Sequence, residues 1–216
     1  MRLILIRHGQ TSSNVAGVLD TRIPGPGLTD LGRAQAARLP ETLRGEAIGA
    51  LYVSTMRRTH ETAAPLAHAL DLTPVERAGL REIGAGGLEM RGDRDAVEEY
   101  LDTMIRWVAG EDELRLAAGE TGRGFAERFD AVVAEAEDSG HDTVAFVSHG
   151  AAIRCWAGIR ARGLDAAFVA YHALENTGVV VLEGSGLDWT LESWEGEPAS
   201  GVGDDAPSGP TGEPTA

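Results

Sequence analysis

The chain of 216 residues contains no lysine, a single cysteine and few aromatic residues, which make up 5% of the sequence. One cysteine, Cys155, excludes an internal disulfide, so the sequence does not require an oxidising compartment. No apolar run approaches the length of a membrane span. The apolar run that follows Met1 is also too short for the hydrophobic region of a signal peptide. These absences predict a cytoplasmic protein without a membrane segment.

Positive charge is scarce and comes from one residue type. The 34 acidic residues outnumber the 19 basic residues, all of them arginine, and the net charge is −15. Nucleic acids and anionic membranes bind basic surfaces, so this charge argues against both as partners. High-GC codon usage is sufficient to explain why arginine replaces lysine. An acidic protein that handles an anionic substrate would nevertheless need local arginine clusters to overcome its own field.

Two apolar runs, far apart in the chain, each end in a His-Gly pair. Residues 3–6 (LILI) precede Arg7 and His8, and residues 144–147 (VAFV) precede a serine, His149 and Gly150. Short runs of this composition are typical of strands buried on both faces of a parallel sheet. Ligands of open α/β folds bind at the carboxyl ends of such strands. The repetition therefore indicates polar chemistry at one edge of a sheet.

Ionisable residues follow all of the first four predicted strands. They are Arg7 and His8 after residues 2–6, Arg57 and Arg58 after residues 50–53, Arg81 and Glu82 after residues 72–76, and His149 after residues 143–147. Guanidinium groups bind a phosphate dianion well, and a neutral imidazole can attack phosphorus. A carboxylic acid can protonate the leaving oxygen. Together these residue types predict a site for a phosphate ester.

The predicted strands alternate with predicted helices, which indicates a three-layer α/β sandwich. Thr29 is predicted to cap a helix that Pro40 bends or divides. Two late strands, near 178–182 and 189–193, predict an antiparallel hairpin that turns at 184–186. Beyond them the composition is glycine, proline, serine, threonine and acids without apolar periodicity. We therefore expect one domain over residues 1–194 and a disordered acidic tail over 195–216.

Five segments resemble, in order, the motifs of the histidine phosphatase superfamily, whose members have the phosphoglycerate mutase-like fold. The segments are LILIRHGQTSSN, LTDLGRAQA, YVSTMRRTHETA, LREIGAGGLEMR and FVSHGAAIR, and they run from residue 3 to residue 154. The resemblance implies an α/β/α sandwich with a six-stranded, mixed but mostly parallel sheet. The implied strand order is 3-2-4-1-5-6, with strand 5 antiparallel. The segment at about 84–120 is expected to be an insertion over the active site.

The resemblance also implies a two-step phosphoryl transfer in which His8 becomes phosphohistidine. Glu82 would protonate the leaving oxygen and then deprotonate water or an acceptor hydroxyl. The residues that would hold the phosphate oxygens are Arg7, Asn14, Arg58 and His149, with Gly150 beside them. No metal ion and no other cofactor is implied.

Two details of the candidate site depend on alignment and on a loop. The motif aligns Arg58, rather than Arg57, with the second phosphate-binding arginine of the family. Thr21 and Arg22, in the proline- and glycine-rich loop at 20–27, are candidates for the entrance of the pocket. An ordinary exposed loop arginine is the alternative for Arg22.

Among the activities of this family, we favour a phosphatase that hydrolyses a small-molecule phosphomonoester. The second-site basic residues of the dedicated mutases have no clear match, and acidic residues outnumber arginines in the insertion. A mutase-type phosphotransferase and an inactive phosphate-binding regulatory module stay open as alternatives. The six histidines show no spacing that is typical of a metal site. A homodimer stays open as the oligomeric state.

Overall fold

The computed structural model describes residues 1–199, which form eight β-strands, with the apolar strand β1 at the centre of the sheet. In chain order the strands are β1 (Arg2–Arg7), β2 (Ala50–Val53), β3 (Val75–Glu76), β4 (Thr143–Ser148), β5 (Ala161–Arg162), β6 (Val179–Ser185), β7 (Asp188–Trp194) and β8 (Glu197–Pro198). Residues 3–6 of β1 are completely buried. Successive side chains of a strand point to opposite faces, so this run requires an apolar layer on each side of the sheet.

The sheet has the order β3-β2-β4-β1-β6-β7-β5, and β8 pairs with β7. Strand β1 is parallel to β4, with Ile6 opposite Val147, and antiparallel to β6, with Ile6 opposite Val179. The predicted order 3-2-4-1-5-6 is confirmed for the six main strands, in which the antiparallel fifth strand is β6. Strands β5 and β8 have two residues each and are additional to the prediction. Two residues are too few for a hydrophobic alternation to reveal them.

Helices cover both faces of the sheet and complete the predicted three layers. They are α1 (Ser12–Ala16), α2 (Asp30–Ala36), α3 (Leu39–Thr42), α4 (Arg57–Leu70), α5 (Arg94–Val108), α6 (Gly122–Asp138), α7 (Gly150–Arg160) and α8 (Ala166–Tyr171). Ile4 and Ile6 of β1 pack in one core with side chains of α3 and α4. Leu3 and Leu5 pack in the other core, with side chains of α5, α6, α7 and α8.

The helix predicted after Thr29 is capped and divided as expected. The Thr29 hydroxyl accepts a hydrogen bond from the Gly32 N–H at 3.0 Å, which satisfies a free donor of the first turn of α2. Helix α2 ends at Ala36 and α3 begins at Leu39, immediately before Pro40.

Several boundaries differ from the predictions, and three of the differences have a clear structural cause. The third strand is shorter than residues 72–76, because Asp71 is left-handed (φ 52°) and the Leu72 N–H closes helix α4 by donating to Ala67 O. In the late hairpin Ser185 pairs with Asp188, so the turn consists of residues 186–187 rather than 184–186. The predicted tail begins too early, since β8 pairs with β7. The rest of the predicted tail, residues 200–216, lies outside the described residues.

Within residues 1–199, no helix combines the length and the apolar character needed to cross a membrane.

Candidate active site

The carboxyl ends of β1, β2 and β4 meet at one edge of the sheet because these strands are parallel. A cleft opens there, and most of the predicted site residues line it: Arg7, His8, Asn14, Thr21, Arg58, Glu82 and Gly150. His149 lies against this group, with its ring centroid 5.2 Å from that of His8. Arg22 is exposed and is not among the residues that line the cleft.

His8 presents one defined nitrogen for chemistry. Its Nδ1 lies 2.8 Å from Gly9 O. A carbonyl oxygen can only accept, so Nδ1 carries the hydrogen and Nε2 keeps its lone pair. Burial, followed by the charges of Arg58 and Arg7, lowers the pKa of His8 well below its ordinary value of 6.5. The imidazole is therefore neutral at pH 7, which is the form that can attack phosphorus.

The Arg7 guanidinium is held in the floor of the cleft. Arg7 is 1% exposed, and its Nη1 donates to Leu174 O. The first turn of α7 passes directly over it. A Cβ atom at Gly150 would lie 3.1 Å from Arg7 Nε and 3.3 Å from Cδ, so only glycine leaves the guanidinium its present position.

Arg58 is the second guanidinium of the cleft, as the motif alignment predicts. Arg58 is 3% exposed, whereas Arg57 is exposed and forms an ion pair with Glu61. The Arg58 Nη2 donates to the backbone oxygen of Asp20 at 3.1 Å. This bond ties the loop after α1 to the Arg58 guanidinium.

His149 is engaged at both ring nitrogens. Arg58 Nε donates to His149 Nδ1 at 3.2 Å, so the hydrogen of the neutral ring is on Nε2, which lies 2.9 Å from the Ser54 hydroxyl. Burial and the Arg58 charge lower the pKa of His149 well below its ordinary value. In this arrangement His149 orients Arg58, and its predicted contact with a bound phosphate stays a prediction.

Glu82 is half-buried, and its carboxyl group lies among backbone donors. Its Oε1 accepts hydrogen bonds from Ile83 N at 2.9 Å and Ala152 N at 2.8 Å, and its Oε2 accepts from Ala151 N at 3.3 Å. Burial raises the pKa of Glu82 above its ordinary value of 4.5, against the opposing effects of these donors and of Arg58. A carboxyl group with a raised pKa, inside a cleft, keeps its proton to higher pH and is suited to act as a proton donor.

Asn14 is positioned by the first turn of α1. Its Oδ1 accepts from Thr11 N at 3.0 Å, and the Thr11 hydroxyl accepts from Asn14 N at 3.2 Å, which is a capping box. Because the carboxamide oxygen is committed to the backbone, the carboxamide N–H groups are the ones available to an anion. Asn176 also holds this part of the cleft, because its Nδ2 donates a hydrogen bond to the backbone oxygen of His8 at 3.1 Å.

Thr21 and Arg22 lie in the loop over the cleft and are both held by Glu89. The Glu89 carboxylate accepts from Thr21 N at 2.8 Å, from the Thr21 hydroxyl and from Arg22 N at 3.2 Å. The Thr21 hydroxyl also accepts from Ala85 N at 3.0 Å. The structure therefore brings Thr21 to the cleft, whereas it holds Arg22 by its backbone alone.

Sequence reasoning missed several residues of this site: Ser54, Asp20, Glu89 and Tyr100. Ser54 directly follows β2, so the rule that found the other strand ends could have found it. The other three depend on the detailed path of a loop and of the insertion, and no local spacing in the sequence shows which of their side chains face the cleft. Within residues 1–199, no group of three or more His, Cys, Asp or Glu side chains is arranged to bind a metal ion.

The fold and the geometry of this cleft agree with the family comparison. The family model described as histidine phosphatase superfamily (branch 1) matches residues 3–196. The chain therefore belongs to the histidine phosphatase superfamily.

Individual relatives include enzymes that act on small phosphate esters. The chain is 33% identical over 228 residues to the PE-PGRS family protein PE_PGRS11 of Mycobacterium tuberculosis, covering 98% of this chain and 38% of that protein. It is 32% identical over 128 residues to the adenosylcobalamin/alpha-ribazole phosphatase of Salmonella typhimurium, covering 59% of this chain and 63% of that enzyme. It thus spans less than two thirds of either relative.

The solved structure of a mycobacterial glucosyl-3-phosphoglycerate phosphatase complexed with VO3 has a TM-score of 0.75 to this chain at 25% identity. The match covers 90% of this chain and 98% of that enzyme.

Proposed function

We propose that the protein is a metal-independent phosphatase that hydrolyses a small-molecule phosphomonoester through a phosphohistidine on His8. The observation that carries the proposal is the state of that imidazole. Its Nδ1 hydrogen is directed to Gly9 O, its Nε2 keeps a lone pair, and the buried Arg7 and Arg58 stand beside it in one cleft. Membership of the histidine phosphatase superfamily supports the same chemistry.

In the first step, His8 Nε2 attacks phosphorus while the bond from phosphorus to the leaving oxygen breaks. Glu82 gives its proton to that oxygen, and the alcohol departs. In the second step, the Glu82 carboxylate takes a proton from water, the water oxygen attacks phosphorus, and the bond from phosphorus to nitrogen breaks. Inorganic phosphate is released, and both residues return to their starting forms.

The charge of the transferring group would be balanced by protein donors. Arg7 and Arg58 supply two fixed guanidinium groups, and Asn14 supplies carboxamide N–H groups. Preorganised donors of this kind stabilise the charge that develops at phosphorus. We therefore expect activity to persist in the presence of a chelator such as EDTA.

The remaining predicted residues have supporting roles in this proposal. Gly150 gives Arg7 its space, and His149 orients Arg58 and contacts the phosphate when it is bound. Thr21 and Arg22 belong to the loop at the mouth, with Thr21 nearer the substrate. The cytoplasmic location and a homodimer stay predictions.

The first experiment compares wild type with His8→Ala, using p-nitrophenyl phosphate with EDTA present. His68→Ala, an exposed histidine of α4, is the matched control. We expect His8→Ala to lose activity, the control to keep it, and acid-labile phosphate to be trapped on the wild-type peptide that contains residue 8. Full activity of His8→Ala would overturn the mechanism.

Transfer of the phosphoryl group to a second hydroxyl is the alternative within the family, and an inactive phosphate-binding module is the other. Assays of 3-phosphoglycerate with and without 2,3-bisphosphoglycerate separate the three. Cofactor-dependent isomerisation would identify a mutase. Absence of turnover with any phosphomonoester, together with phosphate binding, would identify the inactive module.

A further inference from the structure

The guanidinium groups of the cleft are sufficient for one phosphate and are committed to it. Among the described residues that line the cleft, Arg7 and Arg58 are the only arginines. Arg7 is anchored to Leu174 O, and Arg58 is anchored to His149 and to the Asp20 backbone. Neither side chain can leave the phosphate to meet a second anion elsewhere on the substrate.

The wall next to these arginines carries negative charge. The side chain of Asp20 lines the cleft, and its Oδ2 accepts from the Ser13 hydroxyl at 2.6 Å. The bond from Arg58 to the Asp20 backbone fixes this residue beside the phosphate site. Directly behind the neighbouring Thr21 lies the carboxylate of Glu89. Within residues 1–199, neither Asp20 nor Glu89 forms a salt bridge, and the cation that both act on is Arg58, where they oppose the lowering of its pKa by burial.

The side chains of Val18, Leu19 and Tyr100, which also line the cleft, are uncharged. Val18 and Leu19 are apolar, and the Tyr100 hydroxyl donates to Ile83 O at 2.9 Å. Hydroxyl groups of a leaving alcohol can donate to the carboxylate of Asp20, whereas a carboxylate or a second phosphate would be repelled by it.

From this arrangement, and resting on the proposed function, we propose that the enzyme selects phosphomonoesters of neutral, hydroxyl-bearing alcohols. Asp20 is the residue that rejects substrates with a second anionic group. The substrate class is therefore polyol-, sugar- or nucleoside-like on its leaving-group side. Carboxylated phosphates and bisphosphates are excluded.

Arg22 is the cation closest in sequence to this wall. Its charge would have the opposite effect to that of Asp20 on a second anionic group of the substrate. If its exposed side chain turned into the cleft, it would attract the second anion that Asp20 repels. The structure holds Arg22 by a backbone bond to Glu89 and does not include it in the lining. We therefore expect Arg22→Ala to leave the discrimination between neutral and carboxylated phosphates unchanged.

The test uses two small ligands that differ only in the group under study, glycerol 3-phosphate, which ends in CH₂OH, and 3-phosphoglycerate, which ends in a carboxylate. Each is measured as a substrate and as a competitive inhibitor of p-nitrophenyl phosphate hydrolysis, so a ligand that is turned over slowly still reports its binding. We expect wild type to prefer glycerol 3-phosphate by about tenfold or more, in kcat/KM or in inhibition constant.

Asp20→Asn keeps the backbone oxygen that binds Arg58 and removes the charge, so it should reduce this preference several-fold. Asp138→Asn removes the same charge from the exposed carboxyl-terminal end of α6, and it should leave the preference as in wild type.

The outcomes separate this inference from the proposed function. Loss of all phosphomonoester hydrolysis, p-nitrophenyl phosphate included, would refute the proposed function. Hydrolysis of p-nitrophenyl phosphate with equal or better recognition of 3-phosphoglycerate would refute the substrate class alone. A preference that Asp20→Asn does not reduce, or that Asp138→Asn reduces equally, would refute the role of Asp20. Loss of the preference in Arg22→Ala would also refute the role of Asp20.

Discussion

Replacing Gly150 by alanine should reduce catalysis without destabilising the fold. The new Cβ atom would lie 3.1 Å from Arg7 Nε, 3.3 Å from Cδ and 3.4 Å from Cζ. Contacts of a Cβ atom are ordinarily 3.4 Å or longer, so the guanidinium must retreat by a few tenths of an ångström. Arg7 is buried and bound to Leu174 O, so this retreat changes its position relative to a bound phosphate.

This substitution should raise the stability of the fold slightly and lower the catalytic rate. Alanine is a better helix former than glycine, which stabilises the first turn of α7 by at most about 1 kcal/mol. Displacement of a charged donor in a catalytic site costs much more, because a shift of about 1 Å can reduce the rate on the order of a hundredfold. We expect kcat/KM for p-nitrophenyl phosphate to fall about tenfold or more, with the melting temperature unchanged or higher.

The assay combines thermal unfolding, steady-state kinetics and inhibition by inorganic phosphate, whose inhibition constant should rise with the loss of kcat/KM. Gly124→Ala is the matched control. It places the same methyl group in the first turn of α6, where the only neighbour within 4 Å is the Thr121 hydroxyl at 3.4 Å. A Gly150→Ala variant with kcat/KM within about twofold of wild type would show that Arg7 does not need its present position.

Two further predictions concern Glu82 and the end of the described chain. Glu82→Gln should reduce hydrolysis of alkyl phosphates by about a hundredfold or more, and that of p-nitrophenyl phosphate much less. Because the pKa of Glu82 is raised above 4.5, wild-type kcat/KM for alkyl phosphates should fall, and stability relative to Glu82→Gln should decrease, as the pH rises through that pKa. Equal losses for both leaving groups, or the same alkaline limb in Glu82→Gln, would contradict the donor role. A chain ending at Trp194 should melt about 2–4 °C below one ending at Ala199, because it lacks β8 and the Glu195 hydrogen bonds to Val179 O and Glu175 N. Identical melting temperatures would show that these contacts do not contribute.

The central strands and long helices could be predicted because the hydrophobic pattern of each segment indicates which of its faces are buried. Strands β1 and β4 are apolar on both faces, and the apolar residues of α4 recur at helical spacing, three or four positions apart. Strands β5 and β8 could not be predicted, because each of them forms only by hydrogen bonding to the backbone of β7. The same holds for the end of α4, where a left-handed Asp71 removed Leu72 from the predicted third strand.

The positions of the candidate site residues were more predictable than the contacts that hold them. His8 and Arg58 follow strands that had to converge at one edge of the sheet, so the sequence was enough to bring them together. The set of backbone donors around Glu82 depends on the angle at which α7 leaves β4, and the partners of His149 depend on side-chain rotamers. Neither property is encoded by local spacing. The position of Asp20 likewise depends on the path of a loop, which is why the residue that we assign to selectivity was not among the sequence candidates.

The central place of β1 in the sheet has a consequence for biosynthesis. Both of its neighbours, β4 and β6, come from residues 143–185, so the strand that precedes His8 has no partner when it leaves the ribosome. At about 5–20 residues per second, its neighbours follow on the order of ten seconds later. For that time an apolar segment with free backbone donors and acceptors is open to wrong pairing. The yield of folded protein should therefore depend on chaperones that shield the nascent β1 segment.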